Sequence, residues 1–510
     1  MSLRMQHGPV PLALEVIAMS KRFGPLVALD QVALRVRTGS VHALLGENGA
    51  GKSTLVKCIM GYYRPDDGDI LVWDRERTLA NPRDAHALGL GMVYQHFTLV
   101  PNMTVAENLL IARPSLPAVI HWAQERQALA AFMATMPFTV DLKARIYTLA
   151  AGEKQKVELL KQLYLNRRFL ILDEPTSVLT PGEADEVLGL LHTMTRQGRL
   201  TVLLITHKLR EVEAFTDEVT VLRRGKVVGT GTVGKLSTAE MTEMMIGSRH
   251  MPPAVERAQT EPGAPRLAIS GLQALNDRGV LALRHVALTL HAGEIVGIAG
   301  VSGNGQRELV EILAGQRTPV AGQIRVAGQP YQATRQQMTQ YKVCCLPEEP
   351  LHNACVPRLS VAENLAFRRF DRAPLARRGW WLQFTAMLRA AQDLIRRYRI
   401  ATPSPQAPIA TLSGGNVQRT VLARELSDAV EVLIVANPCF GLDVAATADI
   451  RAQIMAARNR GAAVLLVSED LDELFALADR ILVMSNGQIV YEAPSQTADL
   501  AAIGHHMAAH

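Results

Sequence analysis

The sequence has few cysteines and lacks long apolar runs. Its five cysteines, in 510 residues, form no Cys-x-x-Cys pair and no cluster with histidine. This pattern favours buried free thiols in a reducing compartment over a metal site. No apolar stretch approaches the roughly 18 residues that a membrane-spanning helix needs, so no membrane-spanning helix is expected. The N-terminal stretch lacks a basic lead-in and predicts a first strand and not a signal peptide. The tail, residues 503–510, is expected to be an exposed, frayed end.

The chain also lacks a strong excess of charge of either sign, since its basic and acidic residues nearly balance at a net charge of +6. A mild basic excess fits a membrane surface, a nucleic acid or no charged partner at all. Apolar residues make up 48% and charged residues 20% of the chain, which is typical of folded domains. The length is too great for one ordinary core and predicts two to four domains.

The chain contains an internal repeat. "TVAENLL" at Thr104 returns as "SVAENLA" at Ser360, an offset of 256, and a glycine loop at Gly46 returns at Gly300, an offset of 254. Two further matches follow in the same order, with offsets of 263. Four ordered matches at a near-constant offset indicate a duplicated domain.

We therefore predict a first domain over 1–248, a linker rich in proline and polar residues over 249–265, and a second domain over 266–510. Short apolar runs alternate with amphipathic stretches in each half, which predicts an α/β fold. The alanine-rich stretch from about Pro114 to Leu149 predicts a helical insertion.

The first glycine loop, "GENGAGKS", has the spacing G-x-x-x-x-G-K-S of a phosphate-binding loop. Glycines let backbone N–H groups converge on phosphate oxygens, and the following helix N-terminus adds its positive dipole. Lys52 would contact the β- and γ-phosphates, and Ser53 would ligate Mg²⁺. The predicted ATP-binding residues of this loop are Gly46, Glu47, Asn48, Gly49, Ala50, Gly51, Lys52, Ser53 and Thr54.

Two carboxylates, Asp173 and Glu174, end the apolar run "FLIL". Asp173 could hold Mg²⁺ through water, and Glu174 could polarise an attacking water. A strand-ending Asp-Glu pair taken alone is equally compatible with a solvated turn.

Taken in order, the glycine loop, "YQHF", "LAAGEKQK", "ILDEPTSVLTP" and "LLITHKLREV" resemble the ATP-binding cassette of ABC transporters over nearly the whole chain. The resemblance implies two tandem P-loop NTPase cassettes. Each would have a RecA-like α/β core, a helical subdomain and an antiparallel β subdomain. The implied cofactors are ATP and Mg²⁺.

The resemblance also implies roles for single residues of the first half. Glu174, His207 and Gln95 would be catalytic, with His207 contacting the γ-phosphate. Gln95 would join Ser53 and Asp173 at the metal and sense the transport partner. Phe23 stands where an aromatic ring stacks on adenine, although a core phenylalanine remains an alternative.

The second half departs from this pattern at each position that carries chemistry. Its counterparts of Lys52, Ser53, Asp173, Glu174, His207, Gln95 and Phe23 are, in that order, Gln306, Arg307, Ala436, Asn437, Glu469, Glu348 and Asp277. These changes remove cations, metal ligands and the base, so this loop is not expected to support hydrolysis.

The signature sequences differ in the opposite sense. The second half keeps a good one, Ser413-Gly414-Gly415-Asn416, whereas the first half has Ala150 in place of the serine. The D-loops are uneven too, with Asp443 in the second half and Thr180 in the first. In ABC dimers each ATP lies between one Walker A and the opposite signature. The resemblance thus implies one intact and one degenerate composite site.

Tandem cassettes with such a second half resemble the simple-sugar importer ATPases, and "GMVYQHFTLVPNMTVAEN" is similar to their nucleoside-type branch. This implies a subunit peripheral to the cytoplasmic face of the inner membrane, without a nucleic-acid partner. Its partners would be two multi-helix permease subunits and an extracytoplasmic solute-binding protein. The alternative is a cytosolic tandem-cassette translation factor on the ribosome, which usually has a long, charged linker. A chromosome or repair ATPase would need heptad arms or zinc cysteines.

Overall fold

The structure is a computed structural model that describes residues 11–116, 119–247, 255–259, 261–301, 303–442 and 444–508. The chain divides into two compact units, Met1–Arg249 and His250–His510. Residues 249–254 and 260 of the predicted linker lie outside the described ranges. Nearby, Arg257 Nη1 lies 2.8 Å from Asp479 Oδ1 within the second unit. The exact domain boundaries stay a prediction.

The first unit contains ten strands and eight α-helices in its described part. Its strands are β1 Leu12–Phe23, β2 Leu26–Arg37, β3 Val41–Leu45, β4 Asp67–Val72, β5 Arg75–Glu76, β6 Leu90–Val93, β7 Phe169–Asp173, β8 Thr201–Ile205, β9 Glu218–Arg223 and β10 Lys226–Thr232. Its helices are α1 Lys52–Ile59, α2 Pro82–Ala87, α3 Val105–Ile111, α4 Trp122–Met133, α5 Ala151–Tyr164, α6 Pro181–Arg196, α7 Leu209–Phe215 and α8 Thr238–Ile246.

The second unit repeats this order, with an added short helix and an added two-stranded hairpin. Its strands are β11 Pro265–Leu275, β12 Leu281–His291, β13 Ile295–Ala299, β14 Ala321–Val326, β15 Gln329–Pro330, β16 Val343–Leu346, β17 Ala376–Arg377, β18 Trp381–Leu382, β19 Val432–Ala436, β20 Ala463–Val467, β21 Arg480–Ser485 and β22 Gln488–Pro494. Its helices are α9 Gln306–Leu313, α10 Arg335–Gln340, α11 Pro350–Asn353, α12 Val361–Ala366, α13 Phe384–Arg397, α14 Gly414–Glu425, α15 Val444–Asn459, α16 Leu471–Leu477 and α17 Leu500–Ala508.

Each unit is built on a six-stranded sheet that is parallel except at one edge. The strand order is β10-β9-β3-β8-β7-β6 in the first unit and β16-β19-β20-β13-β21-β22 in the second. Strands β13, β19 and β20 are continuous apolar runs, and β3 and β8 each contain one polar residue, His42 and Thr201; every residue of these five strands is buried. Such runs suit strands that are covered on both faces.

Different layers cover the two faces of this sheet. In the first unit, the four-stranded antiparallel sheet β2-β1-β4-β5 packs with α1 on one face around Leu14, Leu34 and Leu55. Helices that include α4 and α5 pack on the other face around Leu129 and Leu160. The predicted α/β fold is confirmed, and the predicted helical insertion contains α4.

Parallel strands place their carboxyl ends along one edge, and ligands of open α/β sheets bind there. In the first unit, the loops after β3, β6, β7 and β8 all leave that edge. These loops carry the phosphate-binding loop, Gln95, Glu174 and His207. Residues that are far apart in sequence therefore meet.

The carboxyl-terminal tail differs from expectation. Residues 500–508 form α17, in which Ile503 is fully buried and the His506 ring stacks on Tyr491 at 5.0 Å. The prediction of an exposed, frayed end was wrong for this helix, because the apolar residues Ile503 and Met507 lie one turn apart and pack on the core.

Within the described ranges, no helix has the length and apolarity that crossing a bilayer requires. All five cysteines are free thiols, buried or partly buried, and the described residues hold no group of His, Cys, Asp and Glu suited to a metal ion. Burial raises the pKa of Cys58 and Cys355 to about 11, so these thiols are poor nucleophiles.

Candidate active site

The phosphate-binding loop of the first unit connects β3 to α1 and has a backbone that glycine alone accommodates. Gly51 has a φ of 107°, and a Cβ there would lie 2.7 Å from the Ala28 carbonyl oxygen. At Gly46 a Cβ would come within 2.3 Å of the Leu222 carbonyl oxygen. The loop is therefore closely packed on its neighbours, which fixes the directions of its N–H groups.

Lys52 begins α1 and folds back into the loop. Its side chain is mostly buried, and Nζ donates hydrogen bonds to the carbonyl oxygens of Gly46, at 2.6 Å, and Glu47, at 3.1 Å. Gly51, the N-cap of α1, provides no side-chain cap, and Ser53 is exposed. An ammonium group and uncapped helix N–H groups thus surround the loop centre, which is the arrangement that binds phosphate.

Glu174 directly follows β7 and has a left-handed backbone, with a φ of 49°. Its N–H still donates to the Ile205 carbonyl oxygen of β8, at 2.9 Å. A non-glycine residue in this region is strained, and such strain persists where neighbouring structure holds it in place. The sheet therefore fixes where the Glu174 carboxylate begins.

The Glu174 carboxylate lies between two side chains that sequence analysis assigned to the site. Gln95 Nε2 donates to Glu174 Oε2 at 3.2 Å, and His207 Nδ1 lies 3.0 Å from Glu174 Oε1. Burial alone would raise the pKa of Glu174, but the hydrogen bond and charge of His207, together with Lys52 and Lys208, hold it below the usual range. The carboxylate is thus ionised, Nδ1 carries the proton, and Nε2 is left for a ligand.

Asp173 is the last residue of β7. Burial, and then the adjacent charge of Glu174, raise the pKa of Asp173 to about 6, against a lowering effect from Lys52. Two carboxylates in succession leave excess negative charge, which a divalent cation would relieve. Ser53 and Gln95 supply exposed oxygen atoms, so the donor set fits a hard cation such as Mg²⁺.

A buried network that sequence reasoning missed holds the His207 loop. The Glu211 carboxylate accepts hydrogen bonds from the hydroxyls of Thr176 and Thr206, and the Thr206 hydroxyl accepts from the Lys208 N–H. The network joins the loop after β7 to the loop after β8. Its only sequence signal is a threonine before His207 and a glutamate four residues after it.

Phe23 is exposed at the end of β1, which argues against a core phenylalanine. Its ring contacts Tyr63 edge-on, with centroids 5.2 Å apart, and Lys57 Nζ lies 5.5 Å from the Tyr63 ring centre. Tyr63 follows α1, the helix that begins at the phosphate-binding loop. Sequence analysis missed Tyr63, because its place beside Phe23 depends on the packing of the antiparallel sheet.

In the second unit, Gln306 takes the place of Lys52 at the start of α9. Its amide Nε2 donates to the Val301 carbonyl oxygen at 3.2 Å, and a Cβ at Gly300 would lie 2.1 Å from that nitrogen. A neutral amide therefore occupies the loop interior that the ammonium group of Lys52 occupies in the first unit. In the described part of the loop, Gly305 has a φ of 106°, close to that of Gly51, but the positive charge is missing.

The three loops after β16, β19 and β20 meet at Asn437, which has a φ of 42°. Asn437 Nδ2 donates to Glu348 Oε1 at 3.0 Å, and Asn437 Oδ1 accepts from the Glu469 N–H at 3.0 Å. These residues occupy the positions of Glu174, Gln95 and His207. The hydrogen-bonded arrangement survives, but the central group is a neutral amide that cannot act as a base.

The neighbouring cavity, of about 340 Å³, is lined by Glu311, Glu348, Glu349 and Glu469 against one arginine, Arg307. Such a lining repels a triphosphate. The prediction that this loop lacks the residues for hydrolysis is consistent with this geometry.

An ion-pair network lies where the first unit has its aromatic pair. Arg317 contacts Asp277 and Glu311, and Arg307 Nε lies 2.7 Å from Glu311 Oε1 and Nη2 lies 3.7 Å from Asp277 Oδ2. At the offset of 254 these four positions correspond to Phe23, Ser53, Lys57 and Tyr63. Charge pairs have therefore replaced the aromatic pair, the lysine and the serine hydroxyl together.

The signature sequences begin α5 and α14. Ser413 is the N-cap of α14 and is exposed, and its Oγ accepts from Asn416 Nδ2 at 2.9 Å without capping the helix. In the first unit, Ala150 has no hydroxyl, and the Glu153 carboxylate accepts from the Ala150 N–H at 2.9 Å. One helix start thus offers a hydroxyl and the other a carboxylate. Asp443 lies outside the described residues, and Thr180 caps α6.

Comparison with known proteins places these sites in a family. The family model described as "ABC transporter" matches residues 29–177 and 283–439. A glucose import ATP-binding protein of Haloferax volcanii is 40% identical over 95% of this chain and 93% of its own length. A nucleoside import ATP-binding protein of Lactococcus lactis is 36% identical over 93% and 94%.

A solved structure of an RNase-L inhibitor has a TM-score of 0.64 at 20% identity, covering 95% of this chain and 93% of that one. At that identity the likeness shows the fold alone. The two matched ranges of the family model coincide with the two phosphate-binding loops and their strands. The chain belongs to the ABC transporter family, with two ATP-binding cassettes in one polypeptide.

Proposed function

We propose that this protein is the ATP-hydrolysing subunit of an importer that takes up a simple sugar or a nucleoside, with one working ATP site. The observation that carries the proposal is the contrast between Glu174 and Asn437. Glu174 is an ionised carboxylate held between Gln95 and His207, whereas Asn437 holds the matching loops with an amide. General-base assistance by a positioned carboxylate is worth about 10²–10⁴-fold in rate.

In this proposal the first unit binds the triphosphate. Lys52 and the N–H groups at the start of α1 hold its β- and γ-phosphates, and Phe23 stacks on adenine. Ser53, Gln95 and Asp173 would hold Mg²⁺, which would neutralise part of the phosphate charge. Glu174 orients the attacking water and accepts its proton, and His207 contacts the γ-phosphate.

The second unit contributes its signature instead of its own loop. Ser413, Gly414, Gly415 and Asn416 complete the ATP site of the first unit. The first unit's signature, with Ala150 and Glu153, would complete the site that contains Gln306 and Asn437. Substitutions that impair hydrolysis are then confined to one of the two composite sites.

The partners proposed are two multi-helix permease subunits and an extracytoplasmic solute-binding protein, with this chain peripheral to the inner membrane. The surfaces beside Gln95 and Glu348 would receive permease segments. Closure around ATP would then shift the permease towards its outward-facing state. The names of the relatives, for glucose and for nucleoside import, support the sugar or nucleoside class. Within this class we propose the nucleoside branch.

Affinity purification tests the importer proposal against the ribosomal alternative. Glu174→Gln protein, trapped with ATP, is expected to co-purify with two multi-helix membrane subunits from gently solubilised membranes. Glu174→Gln/Lys52→Ala protein, which should not retain ATP, is the matched control for trapping. Recovery of ribosomes without a membrane protein would overturn the importer proposal.

A further inference from the structure

The second unit contains a strongly basic segment that runs from the end of α12 to just after α13. Residues 366–399 contain nine arginines and two aspartates, a net +7, whereas the whole chain is net +6. The remainder is therefore net −1. The matching stretch of the first unit, residues 110–143 at the offset of 256, has three basic and two acidic residues, a net +1. The basic excess of the protein thus lies in one segment of one unit.

Most of this charge is exposed and not neutralised within the chain. Arg368, Arg369 and Arg396 have carboxylate partners. Within the described ranges no ion pair is found for the six other arginines of the segment, all exposed, namely Arg372, Arg377, Arg378, Arg389, Arg397 and Arg399. These arginines extend from just before the β17–β18 hairpin, through the hairpin and α13, to just after α13. They therefore cover an area and do not form one binding point.

Exposed aromatic rings stand among these arginines. Trp380 and Trp381 are 68% and 60% exposed, and Phe384, the first residue of α13, is 60% exposed. Trp381 is the cross-strand partner of Arg377, and its ring lies 5.5 Å from that of Trp380 in an edge-on arrangement. Burial in water-free surroundings is the usual state of rings this large, so their exposure indicates an apolar partner.

The hairpin forms a separate two-stranded sheet, and its inner residues are the ones that pack on the unit. Ala376 and Leu375 are buried, and Leu375 packs with Met387 of α13. The outer residues, Arg377 and Trp381, are both exposed. Packing inside the unit thus anchors the hairpin while leaving its aromatic and basic face turned outward.

We propose that this arginine–tryptophan surface, formed by Arg377, Arg378, Trp380, Trp381, Phe384 and Arg389, binds an anionic membrane surface directly. Tryptophan is enriched where hydrocarbon meets water, and each basic residue close to an anionic leaflet contributes favourable energy. Charge of one sign spread over a hairpin and a helix matches a partner that is anionic everywhere. A discrete acidic peptide would need complementary single contacts. The contact goes beyond the importer function, because it requires neither ATP nor a permease.

Co-sedimentation of the purified full-length chain with vesicles tests the proposal. Binding is expected to vesicles of phosphatidylcholine mixed with phosphatidylglycerol, to weaken as salt rises, and to be absent with phosphatidylcholine alone. The triple variant Arg377→Gln/Arg378→Gln/Arg389→Gln should bind at least about tenfold more weakly, since each arginine is worth several-fold. The matched control, Arg75→Gln/Arg77→Gln/Arg126→Gln, removes the same charge from exposed positions of the first unit and should bind like the parent.

Tryptophan fluorescence reports whether the aromatic rings enter the bilayer. Brominated lipids should quench the parent protein and should not quench Trp380→Phe/Trp381→Phe, which keeps Trp73 and Trp122. The proposal fails if the parent does not bind anionic vesicles, or if both triple variants lose binding equally. It also fails if the Arg377→Gln/Arg378→Gln/Arg389→Gln variant binds vesicles normally but co-purifies with less permease than the parent does. The surface would then bind a protein. None of these outcomes bears on ATP hydrolysis.

Discussion

Glu174 and Asn437 occupy the same place in the two units, directly after a buried strand, with φ of 49° and 42°. The side chain of each residue is hydrogen-bonded to both neighbouring loops. In the first unit an amide, Gln95, donates to a central carboxylate, and in the second a central amide donates to a carboxylate, Glu348. The direction of the hydrogen bond is reversed while the connection between the loops is kept. Asn437 therefore maintains the shape of a catalytic site without its chemistry.

Tyr63 is expected to position Phe23 for adenine. Tyr63→Ala removes the edge-on aromatic contact, worth about 0.5–1.5 kcal/mol, and should raise KM for ATP by about two- to tenfold with kcat unchanged. Tyr63→Phe keeps the ring and should restore KM. Steady-state ATPase kinetics measure both values. A fall in kcat alone would contradict this role.

Ser413 is expected to serve the first unit's ATP. Ser413→Ala removes a hydroxyl from a phosphate contact worth about 1.5–3 kcal/mol, so kcat/KM for ATP should fall about 10–100-fold. Ala150→Ser is the matched change in the other signature and should leave kcat/KM unchanged. A large gain from Ala150→Ser would show that the other composite site hydrolyses ATP.

At the element scale, a buried charge cluster around Glu425 joins helix α14 to strand β16, because the Cys345 N–H donates to the Glu425 carboxylate at 3.4 Å. The Glu425 carboxylate is fully buried and contacts the guanidinium groups of Arg368 and Arg424. Burial would raise the pKa of Glu425, but the charges of Arg424 and Arg368 outweigh it and lower the pKa. The first unit has Gln162 at this position, at the offset of 263, and lacks the cluster.

Glu425→Gln should therefore destabilise the second unit by about 3–5 kcal/mol, because buried Arg424 and partly buried Arg368 lose their counter-charge. Faster hydrogen exchange is expected in peptides that cover Val343–Leu346 and Gly414–Glu425. Peptides from the matching strand of the first unit, Leu90–Val93, serve as the internal control. Unchanged exchange in the second unit would contradict a stabilising role for the cluster.

The same cluster gives a sign for the pH dependence. Since folding lowers the pKa of Glu425, its contribution is complete above the ordinary glutamate pKa, about 4.3, and is lost as pH falls through the lower folded value. In the parent protein, the free energy of unfolding of the second unit should thus fall more steeply with decreasing pH below about pH 4. Glu425→Gln should lack that additional acid sensitivity. Equal acid profiles for the two proteins would contradict the assignment.

Sequence patterns predicted the elements that depend on local signals. The continuous apolar runs gave β3, β7 and β8, and the glycine spacing gave the loop before α1, because strand burial and loop geometry are encoded within a few residues. The cluster of Asp277, Arg307, Glu311 and Arg317 was not predicted. Its members span 40 positions and meet only when the antiparallel sheet packs beside α9. The docking of α17 also depends on tertiary packing, which its alanine-rich sequence does not reveal.

At the scale of the whole molecule, the two copies of one fold carry different sets of residues. The first unit keeps Lys52, Asp173 and Glu174 at the carboxyl edge of its sheet, whereas the second keeps the serine of its signature and carries the exposed arginine–tryptophan surface. Substitutions in the second unit are consistent with one another, since Gln306 and Asn437 both form hydrogen bonds that hold their loops in place. The second unit is therefore a folded partner with its own contacts and is not a decayed copy.

The most direct test of the single-site account is a paired measurement of steady-state ATP hydrolysis by Glu174→Gln and Asn437→Ala proteins. Glu174→Gln should lose about 10²–10⁴-fold in kcat, because it removes the carboxylate that is placed as a base. Asn437→Ala should hydrolyse ATP at the parental rate, provided that circular dichroism shows it folded. Survival of about half the rate in Glu174→Gln protein would mean that both composite sites turn over, and would contradict the account.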